Sequence, residues 1–248
     1  MIDKLTPLLD TLKFKGMALV IDEVLARAQR EALPVEEILR ILFTQEHHYR
    51  QERSLDYRIK QAHLPCQWTM ETFPFAQQPS VDKGRLLSLA GLDFLTRGEN
   101  LVFIGPPGTG KTGLATAICR KALLNGHRAR FYNAQDLLDE LYASLADHTT
   151  LRLLKRLAAY DLLLIDELGY LTLEPEQTNA FFKLMELRYN RKSTIITTNL
   201  DYPEWYDLFK RKSLVDALLD RLRHRCITIQ LKGPSLRVPE AEKEHHNA

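Results

Sequence analysis

Gly105-Pro106-Pro107-Gly108-Thr109-Gly110-Lys111-Thr112 is the stretch on which the reading of this chain turns. It fits the pattern G-x-x-x-x-G-K-[S/T]. The apolar run Leu101-Val102-Phe103-Ile104 leads into it, and a helical pattern in Leu114, Ala115, Ala117, Ile118 and Ala122 leads out. A strand, a glycine-rich turn and a helix in that order make a phosphate cradle. The turn aims successive backbone N–H groups at an anion, and the helix brings its positive end to the same point. Each loop residue is therefore a candidate nucleotide contact. Lys111 reaches toward the β- and γ-phosphates, and the Thr112 hydroxyl is a ligand for Mg²⁺. The pattern specifies a nucleoside triphosphate and, alone, no reaction.

Outward from the loop, strands and helices alternate, which predicts a doubly wound parallel sheet of five strands. A helix near Leu86–Leu95 precedes the first strand. The helix after the loop stops at Asn125-Gly126. Ala129–Tyr132 reads as the second strand, Leu162–Ile165 as a third buried on both faces, Ser193–Thr198 as the fourth and Cys226–Leu231 as the fifth. Between them, Asn133 with Asp136 caps one helix, and Thr149 or Thr150 caps a short one bearing Leu151, Leu154 and Leu157. Pro175–Tyr189 is another helix, and Ser213 with Asp216 caps a last one ending near Arg223.

Asp166 and Glu167 directly follow the third strand, at the end of the sheet where ligands of such folds bind. Asp166 is placed to hold Mg²⁺, and Glu167 to orient and deprotonate an attacking water. If the fourth strand lies between those of Ile104 and Ile165, Asn199 at its end faces the γ-phosphate and positions the water. Arg221 closes a helix on the sheet's flank, away from its own phosphate site. There it is a candidate finger toward a neighbour's γ-phosphate, which demands a head-to-tail oligomer.

Residues 1–65 read as wholly helical. Leu5, Leu8, Leu9 and Leu12, then Leu19, Val20, Val24 and Ala28, recur at helical spacing, and Pro34 suits the start of the next helix with Glu36 and Glu37 in its first turn. Its later part mixes Arg50, Arg53, Arg58 and Lys60 with Glu46, Glu52 and Asp56. That mixture is either a solvated face or one that meets phosphates or a partner. Residues 66–80 read as a linker broken by prolines, in which Phe73 and Phe75 pin it to a neighbouring domain or wall a base pocket. Residues 81–248 form the nucleotide-binding domain.

The 248 residues carry a net charge of +2, so any case for nucleic acid rests on local clusters. Three scattered cysteines without a C-x-x-C pair suit a reduced, cytoplasmic chain without disulfides or zinc. Neither a membrane-length apolar run nor a signal peptide is evident.

These motifs together resemble the IstB-like helper ATPases of bacterial insertion sequences, in the AAA+ clade of DnaA-like initiators and DnaC-like helicase loaders. The resemblance rests on Gly105–Thr112, Leu163–Gly169, Arg188-Tyr189, Ser193–Asn199, Glu204-Trp205 and Leu219–Leu222. The arm residues Glu46, Arg50, Arg53, Lys60, Ala62, Leu64 and Pro65 also match. It implies ATP and Mg²⁺ as cofactors, and a transposase, duplex DNA and further copies of the chain as partners. Lys111 and Thr112 take the family's nucleotide role, Asp166 and Glu167 those of metal and hydrolysis, Asn199 the first sensor and Arg221 the finger. The clade's extra helical element falls at about 134–160. Gly113 stands where the family commonly has His. About 17 residues follow the last strand, too few for a helical lid of roughly 35; Arg237 is the one candidate for a second sensor.

For DNA the candidates are Arg152, Lys155 and Arg156 on the extra helix, or the cluster Lys210, Arg211, Lys212, Arg223, Arg225, Lys232 and Arg237. Neither has interleaved aromatics or a base-reading helix-turn-helix. The expectation is therefore sequence-independent duplex binding through phosphates and shape. The alternatives are a helicase loader, an architectural DNA-coating protein with a non-catalytic nucleotide, and, more distantly, a small-molecule kinase.

Overall fold

The computed structural model describes residues 5–169, 173–209 and 212–237, with the backbone alone at Leu222 and Arg223. Lys210, Arg211, the Arg223 side chain and the tail 240–248 lie outside the described residues. The chain divides into two compact units, Met1–Arg58 and Ile59–Ala248.

The first unit is built from α1 (Thr6–Thr11), α2 (Lys15–Ala18), α3 (Ile21–Glu31) and most of α4 (Val35–Ala62). Met17, Ile21, Val24 and Leu42 form its small core. Pro34 sits just before α4, its carbonyl accepting from the Glu37 and Ile38 N–H groups. The mixed-charge face of α4 is not uniformly solvated. Glu46 is 4% exposed. Its Oε2 accepts from the N–H groups of Gly16 (2.7 Å) and Met17 (3.1 Å), and its Oε1 from Arg50 Nε (2.6 Å). The carboxylate thus caps α2, satisfying donors that a helix start leaves free. A Cβ at Gly16 would collide with Tyr49 and with the α4 backbone, so only glycine lets the helices approach this closely.

The second unit opens with the end of α4, and residues 66–80 then pack onto the domain that follows. Met70 and Phe73 are buried in its core. After a 3-10 turn at Phe75–Gln77 come α5 (Lys83–Leu89), capped by Asp82, and α6 (Asp93–Thr96). The single helix expected near Leu86–Leu95 is thus two, because Leu92 turns left-handed (φ 70°) between them. There follow β1 (Asn100–Ile104), α7 (Lys111–Leu124), β2 (Ala129–Asn133), α8 (Ala134–Ala146), α9 (Thr150–Ala158), β3 (Leu162–Asp166) and α10 (Pro175–Arg188). The chain continues with β4 (Ser193–Thr198), a 3-10 turn at Tyr202–Glu204, α11 (Trp205–Phe209), α12 (Lys212–His224) and β5 (Cys226–Gln230). Ser213 does not cap α12, since the helix already includes Lys212. Thr149 holds the cap position of α9 without a side-chain bond, while the Thr150 hydroxyl donates to the Ser144 carbonyl.

All five strands are parallel, in the order β2-β3-β4-β1-β5. β4 therefore lies between β1 and β3. Every residue of β1, β3 and β4 is buried, as expected of strands covered on both faces. Alternation divides the core in two. Val102, Ile104, Leu163, Ile165 and Ile196 pack with α8, α9, α10 and α12, whereas Leu101, Phe103, Leu162, Leu164 and Ile195 pack with α5 and α7. Among the described residues no helix is long and apolar enough to cross a membrane, and no helix follows β5.

Candidate nucleotide site

The carboxyl edge of the sheet gathers the loop after β1, Asp166 at the end of β3, Asn199 just past β4 and Asn133 at the end of β2. In the loop, Gly108 and Gly110 take left-handed φ values of 80° and 92°, a conformation glycine adopts without penalty. Lys111 Nζ donates to the carbonyls of Gly105 (2.7 Å) and Pro106 (2.8 Å), folding back over its own loop. Burial pulls this ammonium below its ordinary pKa, Asp166 and Glu167 push it up, and Arg237 adds to the lowering. An anion in the cradle would relieve that cost.

Asp166 is 4% exposed. The Thr112 hydroxyl donates to its two oxygens at 2.9 and 3.1 Å, and the Thr197 hydroxyl to Oδ1. Burial nevertheless raises the carboxyl above its ordinary pKa, and Glu167 reinforces this against the two hydroxyls and Lys111. The described residues contain no group of three or more His, Cys, Asp or Glu side chains that would hold a metal on its own. A threonine hydroxyl and one carboxylate, hard oxygen donors beside a phosphate cradle, fit Mg²⁺, which binds through few protein ligands plus phosphates and water.

Glu167 stands in a left-handed conformation (φ 62°) that non-glycine residues seldom adopt, and its N–H donates to Thr197 Oγ1 at 3.0 Å. That twist leaves its side chain exposed at the mouth of the cavity. Asn133 Nδ2 donates to Glu167 Oε2 at 3.2 Å, while Asn133 Oδ1 caps α8 by accepting from Gln135 N–H. The sequence identified Asn133 only as a cap; its position directly opposite Asp166 in the β2–β3 register gives it the second role. Asn199 Oδ1 is buried without a hydrogen-bond partner. Gly169 lies so close that a Cβ would strike this oxygen.

The cavity at this edge measures about 340 Å³, and its walls include Trp68, Lys111, Glu167, Asn199 and Arg237. Trp68 is a wall the sequence reading missed. Its ring lies where a Cβ on residue 113 would be, so Gly113 makes room for it. The signal was present in two parts, a tryptophan in the 66–80 segment and a glycine in place of the family's His. Phe73 is instead buried behind the loop, edge-on to Trp68 with centroids 5.5 Å apart. Arg237 arrives on a strap, residues 231–237, laid across the loop. Leu231 N–H donates to Ile104 O, Leu236 N–H to Gly108 O (both 2.8 Å), and Gln78 Nε2 to Pro234 O (2.6 Å).

Arg221 is not at this edge. Its guanidinium carbon lies 5.8 Å from the Tyr189 ring centroid, and it shares a small cleft with Asn100, the first residue of β1. It stands at the amino edge of the sheet, with the length of β1, about 16 Å for five residues, between that edge and the loop of its own chain. The basic residues are dispersed as well. Arg152 and Lys155 are exposed on α9, but Arg156 is paired with Glu140 of α8. The cluster around the last strand is no single patch: Arg225 precedes β5 and donates to Arg97 O, whereas Lys232 and Arg237 follow it at the opposite edge.

Residues 7–244 match the model of a family described as IstB-like ATP binding protein. The insertion sequence IS21 ATP-binding protein of Pseudomonas aeruginosa is 37% identical over 97% of this chain and 91% of its own length. The corresponding IS232 protein of Bacillus thuringiensis subsp. berliner is 35% identical over 96% and 95%. Among solved structures, the DnaC helicase loader superposes with a TM-score of 0.55 and 27% identity, over 66% of this chain and 96% of that one. AMPPCP-bound DnaA from Aquifex aeolicus, 22% identical, shares the fold at a TM-score of 0.54 over 68% of this chain and 51% of its own. The fold is that of the AAA+ P-loop proteins.

Proposed function

The chain belongs to the IstB-like ATP-binding protein family, and on that premise we propose that it is an ATP-hydrolysing, DNA-binding helper of an insertion-sequence transposase. The observation that carries the hydrolytic part is the Thr112–Asp166–Thr197 hydrogen-bonded group, set beside the phosphate loop and next to an exposed Glu167. The loop N–H groups and Lys111 hold the triphosphate. Thr112 and Asp166 would hold Mg²⁺, which would supply positive charge beside the phosphates when bound. Glu167, held by Asn133, takes the proton of the attacking water, and Asn199 orients that water through the amide whose oxygen has no partner. Trp68 offers the base an aromatic face. The positive charge missing from this arrangement comes from Arg221 of a neighbouring copy, which makes the assembly head-to-tail and places ATP at subunit boundaries.

Duplex DNA is bound through phosphates, with Arg152 and Lys155 of α9 foremost and Arg156 reduced by its pairing with Glu140. Because Asn133 both caps α8 and holds Glu167, the α8–α9 element and the hydrolytic base share one side chain. The protein works in the bacterial cytoplasm, assembling on DNA with ATP and releasing or remodelling it on hydrolysis. Likeness to relatives from insertion sequences over nearly the whole chain favours a transposase over a helicase as partner.

Glu167→Gln tests the reading. It is expected to keep ATP affinity, lower turnover about 10²- to 10³-fold and trap the oligomer on DNA. Unchanged turnover, or ATP bound without trapping, would sink it. DNA-stimulated hydrolysis by the unmodified chain would exclude a purely architectural role.

A further inference from the structure

The end of α10 presents an arrangement that nucleotide binding within one chain does not use. Arg188 is 1% exposed. Its Nε donates to Thr194 Oγ1 at 3.0 Å, its Nη1 to the carbonyls of Leu157 and Tyr160, both at 2.9 Å, and its Nη2 to the Ser193 carbonyl. These bonds tie the last turn of α10 to the end of α9, to the turn before β3 and to the start of β4. Asn190 then reverses the chain with a left-handed φ of 58°, and the N–H groups of Arg191 and Lys192 both return to the Arg188 carbonyl at 3.0 Å. Tyr189, between the anchor and the reversal, has little freedom. Its half-buried ring faces the half-exposed Arg221 of α12.

We propose that Tyr189 is a positioning residue, fixed by Arg188, which holds the Arg221 guanidinium ready for the triphosphate of a second copy of this chain. The proposal rests on the reading of Arg221 as the cation supplied in trans. The nature of the holding contact is the argument. Among the described residues Arg221 has no carboxylate within ion-pair distance; Glu186, one turn before on α10, is paired with Lys183 Nζ at 2.9 Å and feels Arg221 only as a weaker, more distant charge. An aromatic face orders a guanidinium without neutralising it, and the contact is shed cheaply. A carboxylate partner would hold the arginine more tightly, but it would then compete with the incoming phosphate. Tyr189 therefore restricts where the charge can go while leaving the charge intact.

Mixing copies separates the donor of the arginine from the acceptor. Copies with Arg221→Ala keep a complete loop and accept; copies with Lys111→Ala bind no triphosphate and can only donate. The one-to-one mixture is expected to recover ATP hydrolysis that neither shows alone. Adding Tyr189→Leu to the donor should lower the recovered rate roughly fivefold, the scale of one such contact. Tyr189→Phe in the donor, which keeps the ring, should retain the rate. The same Tyr189→Leu change in the acceptor should leave it unaltered. Equal loss from either copy would make Tyr189 merely a packing residue, and no loss from either would make the ring irrelevant; both outcomes overturn the inference and leave the role of Arg221 standing. A parent mixture that recovers nothing overturns that role and this inference together.

Discussion

Two buried carboxylates, one in each unit, are equally hidden from solvent and have opposite characters. Glu46 and Asp166 are both 4% exposed. Around Glu46 two backbone N–H groups and the Arg50 guanidinium converge, and together they outweigh burial, so its pKa falls below the ordinary value. Around Asp166 only two hydroxyls donate, a second carboxylate is adjacent, and burial wins. Glu46 is complete as it stands and does structural work. Asp166 is left short of positive charge, which suits the cation-holding role proposed for it. Burial alone therefore does not distinguish an acid satisfied within the fold from one left short of donors; the groups around it do.

The sharpest way to break this contrast is Asp166→Asn. Turnover is expected to fall about 10³-fold, on the scale of lost metal-assisted charge stabilisation. Thermal unfolding of the free chain should show no loss of stability, and a gain of about 1 kcal/mol, because the ionised acid no longer has to be buried unpaired. A large drop in stability would show that Asp166 is as structurally satisfied as Glu46. Next in size is Glu46→Ala, expected to cost the first unit about 3 kcal/mol by stranding the Gly16 and Met17 donors. Hydrogen exchange at those two amides measures it, and continued protection would refute the capping role.

The smallest effect is in pH. Glu46 is lowered in the fold, so its contribution is present above its unfolded value near 4.5 and is lost as pH falls through its folded value. Asp166 is raised, so the native state binds the extra proton. Its contribution declines as pH rises from 3.8 through the raised value. Protection at Gly16 and Met17 should therefore weaken on acidification in the wild type and be insensitive to pH in Glu46→Ala.

Much of the site was legible because it is local. The loop announces itself in eight consecutive residues, Asp166-Glu167 follow an unmistakable apolar strand, and the placing of Asn199 hung on one condition, that β4 lie between β1 and β3, which it does. What escaped is non-local. Trp68 meets Gly113, and Gln78 meets Pro234, across stretches of chain whose periodicity contains no trace of the partner. Asn133 was visible as a helix cap, but its bond to Glu167 depends on strand register. Charge patterning misled at both ends. The face of Glu46 and Arg50 read as either solvated or contacting phosphates or a partner; the two do pair, but Glu46 is buried against α2, and of the described basic residues around β5, Arg225 stands at one edge of the sheet and Lys232 and Arg237 at the other. Ser213 failed as a cap because its helix starts before it, which composition cannot reveal.

The strap over the loop has an evolutionary consequence. A Cβ on Gly105 would strike the Leu231 backbone, one on Gly108 the Ser235 side chain, and one on Gly110 both Phe73 and Leu236. Selection on these glycines thus answers to two masters, the anion in front and the strap behind. Gly108, which the phosphate pattern leaves open, is held on both counts: its left-handed φ of 80° strains any side chain whatever the space, and a Cβ would also meet Ser235, so a change at residue 235 alone does not free it and glycine should persist there down the family tree.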